Sequence, residues 1–571
     1  MTQLVQRCRL ITFVFVAVAV ACAPPGGGKP SDAGSAAPRA EKHIVYGAPN
    51  VLDIHPTIGV GPRQSILPFI GAGLSASDGL GNRMPLLTDQ LPSVDNGSWT
   101  VGANGTMVTT FHLRPGALWH DGVPITANDF VFSLRIAKGG VGANLGGPSY
   151  ASIAGAEAAD PQTLVVRWKE PNNAADAIFS WDQPYGAPLP EHVLGDVLAA
   201  NPDALLDLPY WESEYIGSGP FKVVSWEPGV QIQLAAHDGY ALGRPKLDRI
   251  EIRLVEDPNT LISNLLAGTV DATVNLGSAD AAKQLSEQWQ DGNVIFNLGS
   301  GTLSAMLPQF VDPNPKAISD VRFRTALAYG TDRQSIVDGV MLGYSPVPLS
   351  FLTRGQPQYA ALEAGLPRYE YDPQRAAQML TDLGYVKGVD GTLRDAGGQQ
   401  LTVEVRSAAN GPRQQLERAA TAVADDWHRL GVAASPLPVQ VARANDVEYL
   451  STFQGFFLTS RVADAEGLGS YASDHSPVKS NNYRAPSPQN YGRFTSTEVD
   501  GLIAKYFQTI PPGQRAEVMG QIVRQLTEQV AFLGLWYTVG FGARNNRLTG
   551  VAPQWPSTNI GWSAYSWDVS G

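Results

Sequence analysis

The chain has 571 residues, enough for two to four domains at about 100–200 residues each, every one with its own core. Lys and Arg number 41 against 53 Asp and Glu, and the net charge of −12 argues against phosphate-backbone binding as the main activity. Gly (59) and Pro (42) stay below the low-complexity range, which excludes global disorder, and the two cysteines, Cys8 and Cys22, exclude a disulfide framework or cysteine metal site beyond residue 22.

The first residues carry Arg7 and Arg9 and no acid, followed by the apolar run Leu10–Val20. That run is too short to span a bilayer, which takes roughly 20 helical residues, and it has the layout of a secretory signal. Ala19-Val20-Ala21-Cys22 resembles a bacterial lipobox in which Cys22 becomes the lipid-modified first residue, with Ala19 in place of the usual Leu. Residues 23–40 are almost all Ala, Gly, Pro and Ser, a composition suited to a tether reaching roughly 20–25 Å.

Further along, strand and helix signals interleave, which predicts mixed α/β lobes. Met107–Leu113 alternates as a strand and stops at Arg114-Pro115-Gly116. Thr126 and Asp129 resemble a capping box opening an apolar helix through Ile136. Asp257-Pro258 starts a helix with Leu261, Ile262, Leu265 and Leu266 on one face and Gly268 as its stop. Asp372-Pro373 repeats the device, with Ala376, Ala377 and Leu380 inward and Gly384 at the end. Leu416, Ala419, Ala420, Val423, Trp427 and Leu430 trace a longer stripe that ends at Gly431. Strands are expected at 250–254, 270–276 and 401–405.

Catalytic signatures are missing. There is no HExxH and no GxSxG, and the eight histidines show no i, i+4 pair. Gly71–Ala76 fits GxGxxA on paper, but the turn-rich Ser77–Gly81 follows it where a crossover helix is needed, so a plain loop is expected. Neither an enzyme nor a metal or cofactor site is expected.

The stretch FHLRPGALWHDGVPITANDFVFS, Phe111–Ser133, resembles the signature of family 5 extracellular solute-binding proteins, the peptide-, nickel- and related-substrate receptors of ABC importers. Further matches follow in family order: Gly217–Lys222 leading to Trp226, Tyr240–Asp248, Ala267–Asp271, Val321–Arg333, Tyr371–Ala376 and Leu430–Val432. The resemblance runs from about residue 44 to the C-terminus. These motifs are structural in themselves, shaping turns and helix starts, and name no ligand.

The resemblance implies a two-lobe α/β periplasmic-binding-protein fold (class II, cluster C type) with a hinge and an extra subdomain in the first lobe. The expected layout is a signal peptide over 1–21, a lipid-anchored linker over 22–42, lobe I over 43–295 with its subdomain near 85–210, lobe II over 296–534, and a return to lobe I over 535–571. It further implies capture of a peptide between closing lobes, and delivery to a permease and ATPase complex. A monomer held to the membrane by its lipid anchor is expected, on the outer face of the cell membrane or in a periplasm, with no nucleic-acid partner. A non-peptide solute (an oligosaccharide, an opine-like compound or a metal chelate) is the alternative, and a secreted hydrolase or adhesion protein a distant one.

Carried over residue by residue, Ile58, Gly59 and Val60 fall where oligopeptide receptors present main chain to the ligand. Asn275 matches a cleft-lining Asn, and Arg413 a position near the ligand's carboxyl end. Trp536 and Tyr537 match an aromatic cluster on the returning strand. One run departs from the pattern. Receptors with G-W-x-A-D-Y use the Asp for the peptide's ammonium, whereas here Gly455-Phe456-Phe457-Leu458-Thr459 puts Phe456 at the Trp and Thr459 at the Asp. Asp464, five residues on, is the available substitute carboxylate.

Overall fold

The computed structural model describes residues 40–49, 53–55, 66–78, 82–139, 148–180, 186–297, 301–354, 356, 359–363, 365–552 and 561–570. Cys22 and the residues before it, and Ile58, Gly59 and Val60, lie outside the described residues. Among the described residues no helix is long and apolar enough to cross a membrane.

Strand β1 (His43–Ala48) opens the first sheet. The chain then builds a separate four-stranded antiparallel sheet from β2 (Trp99–Val101), β3 (Met107–His112), β4 (Ile153–Asp160) and β5 (Thr163–Trp168), in the order β2-β3-β5-β4. It returns through β6 (Phe221–Glu227), β7 (Gln231–Ala236), β8 (Arg249–Leu254), β9 (Ala272–Thr273) and β10 (Gly292–Asn297). A second sheet follows, made of β11 (Thr302–Pro308), β12 (Thr402–Ser407), β13 (Ala433–Pro438), β14 (Phe456–Val462) and β15 (Leu533–Tyr537), in the order β13-β12-β14-β11-β15. Strand β16 (Gly540–Asn545) goes back to the first sheet, whose seven strands run β10-β16-β9-β1-β8-β7-β6.

The capping signals form as read. Helix α1 (Ala127–Gly139) opens with Asp129 accepting from the Thr126 amide at 2.8 Å. Helix α2 (Pro258–Leu266) opens with Asp257 accepting from the Thr260 amide at 2.7 Å. Helix α3 (Arg413–Leu430) ends on Gly431, whose φ of 99° is the left-handed cap that favours glycine. All six residues of its sequence stripe are buried. Trp427 packs edge-on against Phe456 at 5.1 Å and donates to the Thr331 hydroxyl at 3.0 Å, so truncating this buried indole would cost about 3–5 kcal/mol.

Three details differ from the sequence reading. Leu266 is 38% exposed, because the buried stripe of α2 is Leu261, Ile262 and Leu265, and Leu266 sits one step round the helix from it. Ala377 is exposed while Ala376 and Leu380 are buried, for the same angular reason. The strand expected at 270–276 shrinks to Ala272–Thr273, since the Asp271 side chain turns back to accept from the Val45 amide at 2.9 Å and Asn275 closes a turn onto Gly277.

Three cores result. One involves Ile44, Tyr46, Ile232 and Ile250 of the seven-stranded sheet, and another lies against the four-stranded sheet around Phe111, Trp119 and Phe130. The largest surrounds the five-stranded sheet and also takes in α2 and the helix Ala279–Gln288. The chain passes between the two large sheets twice, from Asn297 to Thr302 and from Tyr537 to Gly540. The crossings touch, with the Thr538 amide donating to the Thr302 carbonyl at 3.0 Å. Beside them Phe296 stacks on Tyr344 at 4.8 Å, and both rings meet Phe541 edge-on.

Strands β1, β8, β9 and β10 run parallel and end on the side of the crossings, and so do β12, β14 and β15. Carboxyl ends of parallel strands are where open α/β sheets take their ligands.

Candidate functional site

Side chains along β14 alternate between two faces. Phe456 points to α3, where Trp427 covers it, so Leu458 and Ser460 share that face. Phe457, Thr459 and Arg461 occupy the other. There Phe457 and Thr459 line a cavity of about 280 Å³ together with Asn410, Asn445, Gln489 and Tyr491. Ala408–Asn410 follow directly on β12, so the cavity opens at the carboxyl end of the β12–β14 pair. Among the described residues its lining offers amide, hydroxyl and phenol groups and no carboxylate. Asn410 is fixed by donating to the Ala444 carbonyl at 3.0 Å.

Arg461 stands one pleat further along the same face. It is 6% exposed, its Nη2 donates to the Gln489 carbonyl at 2.8 Å, and its guanidinium lies 5.6 Å from the Tyr491 ring. Burial holds this guanidinium below the usual arginine range and pushes the Tyr471 and Tyr491 phenols up.

The other sequence candidates are placed as follows. Asn275 is exposed just beyond β9, at the crossing side of the seven-stranded sheet, and accepts from the Gly277 amide at 2.8 Å. Arg413 sits at the first turn of α3, paired with Glu417 at 2.7 Å. Gly455 is a packing glycine, since a Cβ there would lie 2.1 Å from the Glu404 carbonyl oxygen. Trp536 and Tyr537 are both 1% exposed on β15, still in the five-stranded sheet, and the Tyr537 hydroxyl donates to the Leu352 carbonyl at 2.6 Å. Asp464 follows the end of β14 and accepts from the Glu466 amide at 2.8 Å, opening a short 3₁₀ turn. Gly73 lies in the run that mimics a dinucleotide fingerprint, whose end is a short strand (Ser75–Ser77) where a plain loop was expected, and it packs where a Cβ would meet the Phe179 carbonyl oxygen at 1.9 Å.

The structure thus joins Phe457 and Thr459 in one cavity and leaves Phe456, Trp536 and Tyr537 in packing roles. Sequence reasoning missed Asn410, Asn445, Arg461, Gln489 and Tyr491. Arg461 carried a signal, because a strand period of two puts it on the face of Thr459. The others arrive from distant segments and carried none. Among the described residues no group of three or more His, Cys, Asp or Glu is arranged to hold a metal ion.

A further set of contacts links the four-stranded sheet's region to helices that follow β14. Asn173, 8% exposed, donates its amide to the Phe507 carbonyl at 2.9 Å and its Nδ2 to the Tyr506 carbonyl at 2.5 Å, at the end of α4 (Thr497–Gln508). Its own carbonyl accepts from Arg515 at 3.3 Å, on α5 (Pro512–Glu528).

Two α/β sheets crossed twice by the chain, with ligand-type edges turned to the crossings, define a two-lobe binding-protein fold of the periplasmic type. The family pattern described as bacterial extracellular solute-binding proteins, family 5 middle, matches residues 96–464, and the chain belongs to that family. It is 28% identical over 336 residues to the oligopeptide-binding protein AppA of Bacillus subtilis, a match covering 58% of each chain. It is 24% identical over 478 residues to heme-binding protein A of Haemophilus influenzae, covering 79% of this chain and 80% of that one. The matches to the first curated relatives span little more than half of their length, 58% and 52%. The crystal structure of NikZ from Campylobacter jejuni with Ni(L-His) superposes with a TM-score of 0.69 at 21% identity, over 92% of this chain and 99% of that one.

Proposed function

We propose that this chain is the solute-binding component of an ABC importer that captures peptides between two lobes and presents them to a membrane permease. In this reading lobe I is the seven-stranded sheet with the four-stranded subdomain, lobe II the five-stranded sheet, and the hinge the pair of crossings at 297–302 and 537–540. Capture is a population shift: a ligand touching both lobes favours the closed form by its extra contacts there. The cavity at Thr459, opening at the carboxyl end of the β12–β14 pair with amide and hydroxyl groups in its wall, is the observation that carries the reading. Amide and hydroxyl groups suit an extended main chain. The peptide ligand of the Bacillus relative supports the choice of solute.

The signal peptide, lipid attachment at Cys22 and a site outside the cytoplasmic membrane belong to the same proposal and rest on the sequence of residues 1–40. A non-peptide solute is the second reading. The lining without a carboxylate favours it, because a free peptide ammonium buried there goes unpaired. Mass spectrometry of ligand released from the purified protein, followed by calorimetry with a pool of tri- to pentapeptides, separates the two. Peptide masses and heats of binding are the expected result. A sugar, opine or chelate mass, with no heat from peptides, would replace peptide by that solute.

A further inference from the structure

Among the described residues several buried arginines in the five-stranded half of the molecule pair with no carboxylate, and they are satisfied to different degrees. Arg324 reaches the carbonyls of Ile318, Ser319 and Gln529 through all three nitrogens. Arg333 reaches those of Pro348, Gly534 and Tyr369. Each is a structural cation: all three nitrogens of Arg324, and both terminal nitrogens of Arg333, meet main-chain oxygens. Arg461 is different. Only its Nη2 is bonded among the described residues, at 2.8 Å to Gln489 and 3.5 Å to Ser470, and its buried Nε has no partner. No carboxylate pairs with it among the described residues. A buried guanidinium with one good hydrogen bond is expensive to hold, and its unpartnered Nε, sealed from solvent in this structure, belongs to a fork that takes a carboxylate.

Its position sets the guanidinium behind the wall of the Thr459 cavity. Thr459 and Arg461 share a face of β14, two residues apart, which is about 7 Å along a strand. Gln489 and Tyr491, against which the guanidinium lies, also line the Thr459 cavity. The buried phenol of Tyr471, next to Ser470, likewise has no partner among the described residues.

We propose that Arg461 receives a carboxylate of the bound solute, so that a peptide lies with its carboxyl end, and not its amino end, on β14. This rests on the peptide-binding reading above and adds its polarity. The missing acid at Thr459 then follows, because an Asp there would pair with Arg461 and block the ligand's own carboxylate.

The test is calorimetry with three versions of one tri- to pentapeptide pool: free termini, amidated at the carboxyl end, and acetylated at the amino end. The expected result is at least tenfold weaker binding of the amidated pool and less than threefold change for the acetylated pool. Arg461→Gln should bind free and amidated pools alike, while Arg461→Lys keeps part of the preference. Equal binding of free and amidated pools by the native protein overturns the proposal, as does an undiminished preference in Arg461→Gln. Should Arg461→Gln fail to fold, the native comparison decides alone. If no pool binds, the peptide reading fails, and thermal melting with succinate as probe takes over. Stabilisation by succinate that Arg461→Lys reduces sustains the carboxylate site, and no stabilisation overturns it.

Discussion

Asn173→Ala removes one contact between the region of the four-stranded sheet and the helices that follow β14. The side-chain amide donates to the Tyr506 carbonyl at 2.5 Å in a buried setting, whereas the two main-chain bonds to Phe507 and Arg515 survive truncation. Loss of one such bond is worth about 1–1.5 kcal/mol, or roughly a five- to tenfold change in an equilibrium constant. If the lobes close as proposed above, this bond forms on closure and parts on opening, so its free energy falls on closure and hardly on folding. Apparent ligand affinity scales with the closed fraction, which predicts a Kd raised roughly five- to tenfold in Asn173→Ala, with urea unfolding of the unliganded protein shifted by less than about 0.5 kcal/mol. Calorimetry with the ligand-free protein and the same peptide pool measures the first, and circular dichroism the second. An unchanged Kd would show that the contact does not report closure. A large loss of folding stability with unchanged Kd would make it an ordinary packing contact.

Thr459→Asp puts a carboxylate on the face of Arg461 and should weaken binding of free-acid peptides about tenfold in calorimetry, whereas a gain would place the ammonium end on β14 instead. Arg547→Ala strips the bidentate partner, at 2.7 and 2.8 Å, from Asp271, which is 2% exposed between β1 and β9. Urea unfolding should show a loss of about 2–3 kcal/mol, below the roughly 3–5 kcal/mol of a fully buried pair because Arg547 is itself 45% exposed. Burial, with the His237 ring 5.0 Å away, lowers the His120 pKa to about 3, so His120 folds neutral and its contribution is complete above pH 6.5. That contribution fades as pH falls from 6.5 towards 3, by up to about 1.4 kcal/mol per unit, and His120→Gln should flatten this slope in unfolding titrations.

Local signals carried much of the fold. Caps at Asp129 and Asp257, the α3 stripe and the alternation of Met107–His112 are each set by residues a few places apart, and each formed as read. The run Phe111–Ser133 pointed to the family, although its residues shape turns and helix starts. Sheet membership was less legible. The resemblance puts Trp536 and Tyr537 on a returning strand, yet they belong to β15, and β16, two residues on, joins the other sheet, a choice made by partners at Leu303 and Val294. The cavity was least legible of all. Its walls come from segments near 408, 445, 457 and 489, and Asn173 meets residues more than 330 positions away. Such proximity is a property of the closed chain path and leaves no spacing in the sequence.

The most direct test of capture between two lobes is small-angle scattering of the ligand-free protein with and without the peptide pool, at concentrations where melting shows that it binds. The account predicts that the radius of gyration falls on binding and that Asn173→Ala needs more ligand to reach the same compact value. A pool that raises the melting temperature while leaving the radius of gyration unchanged would contradict it.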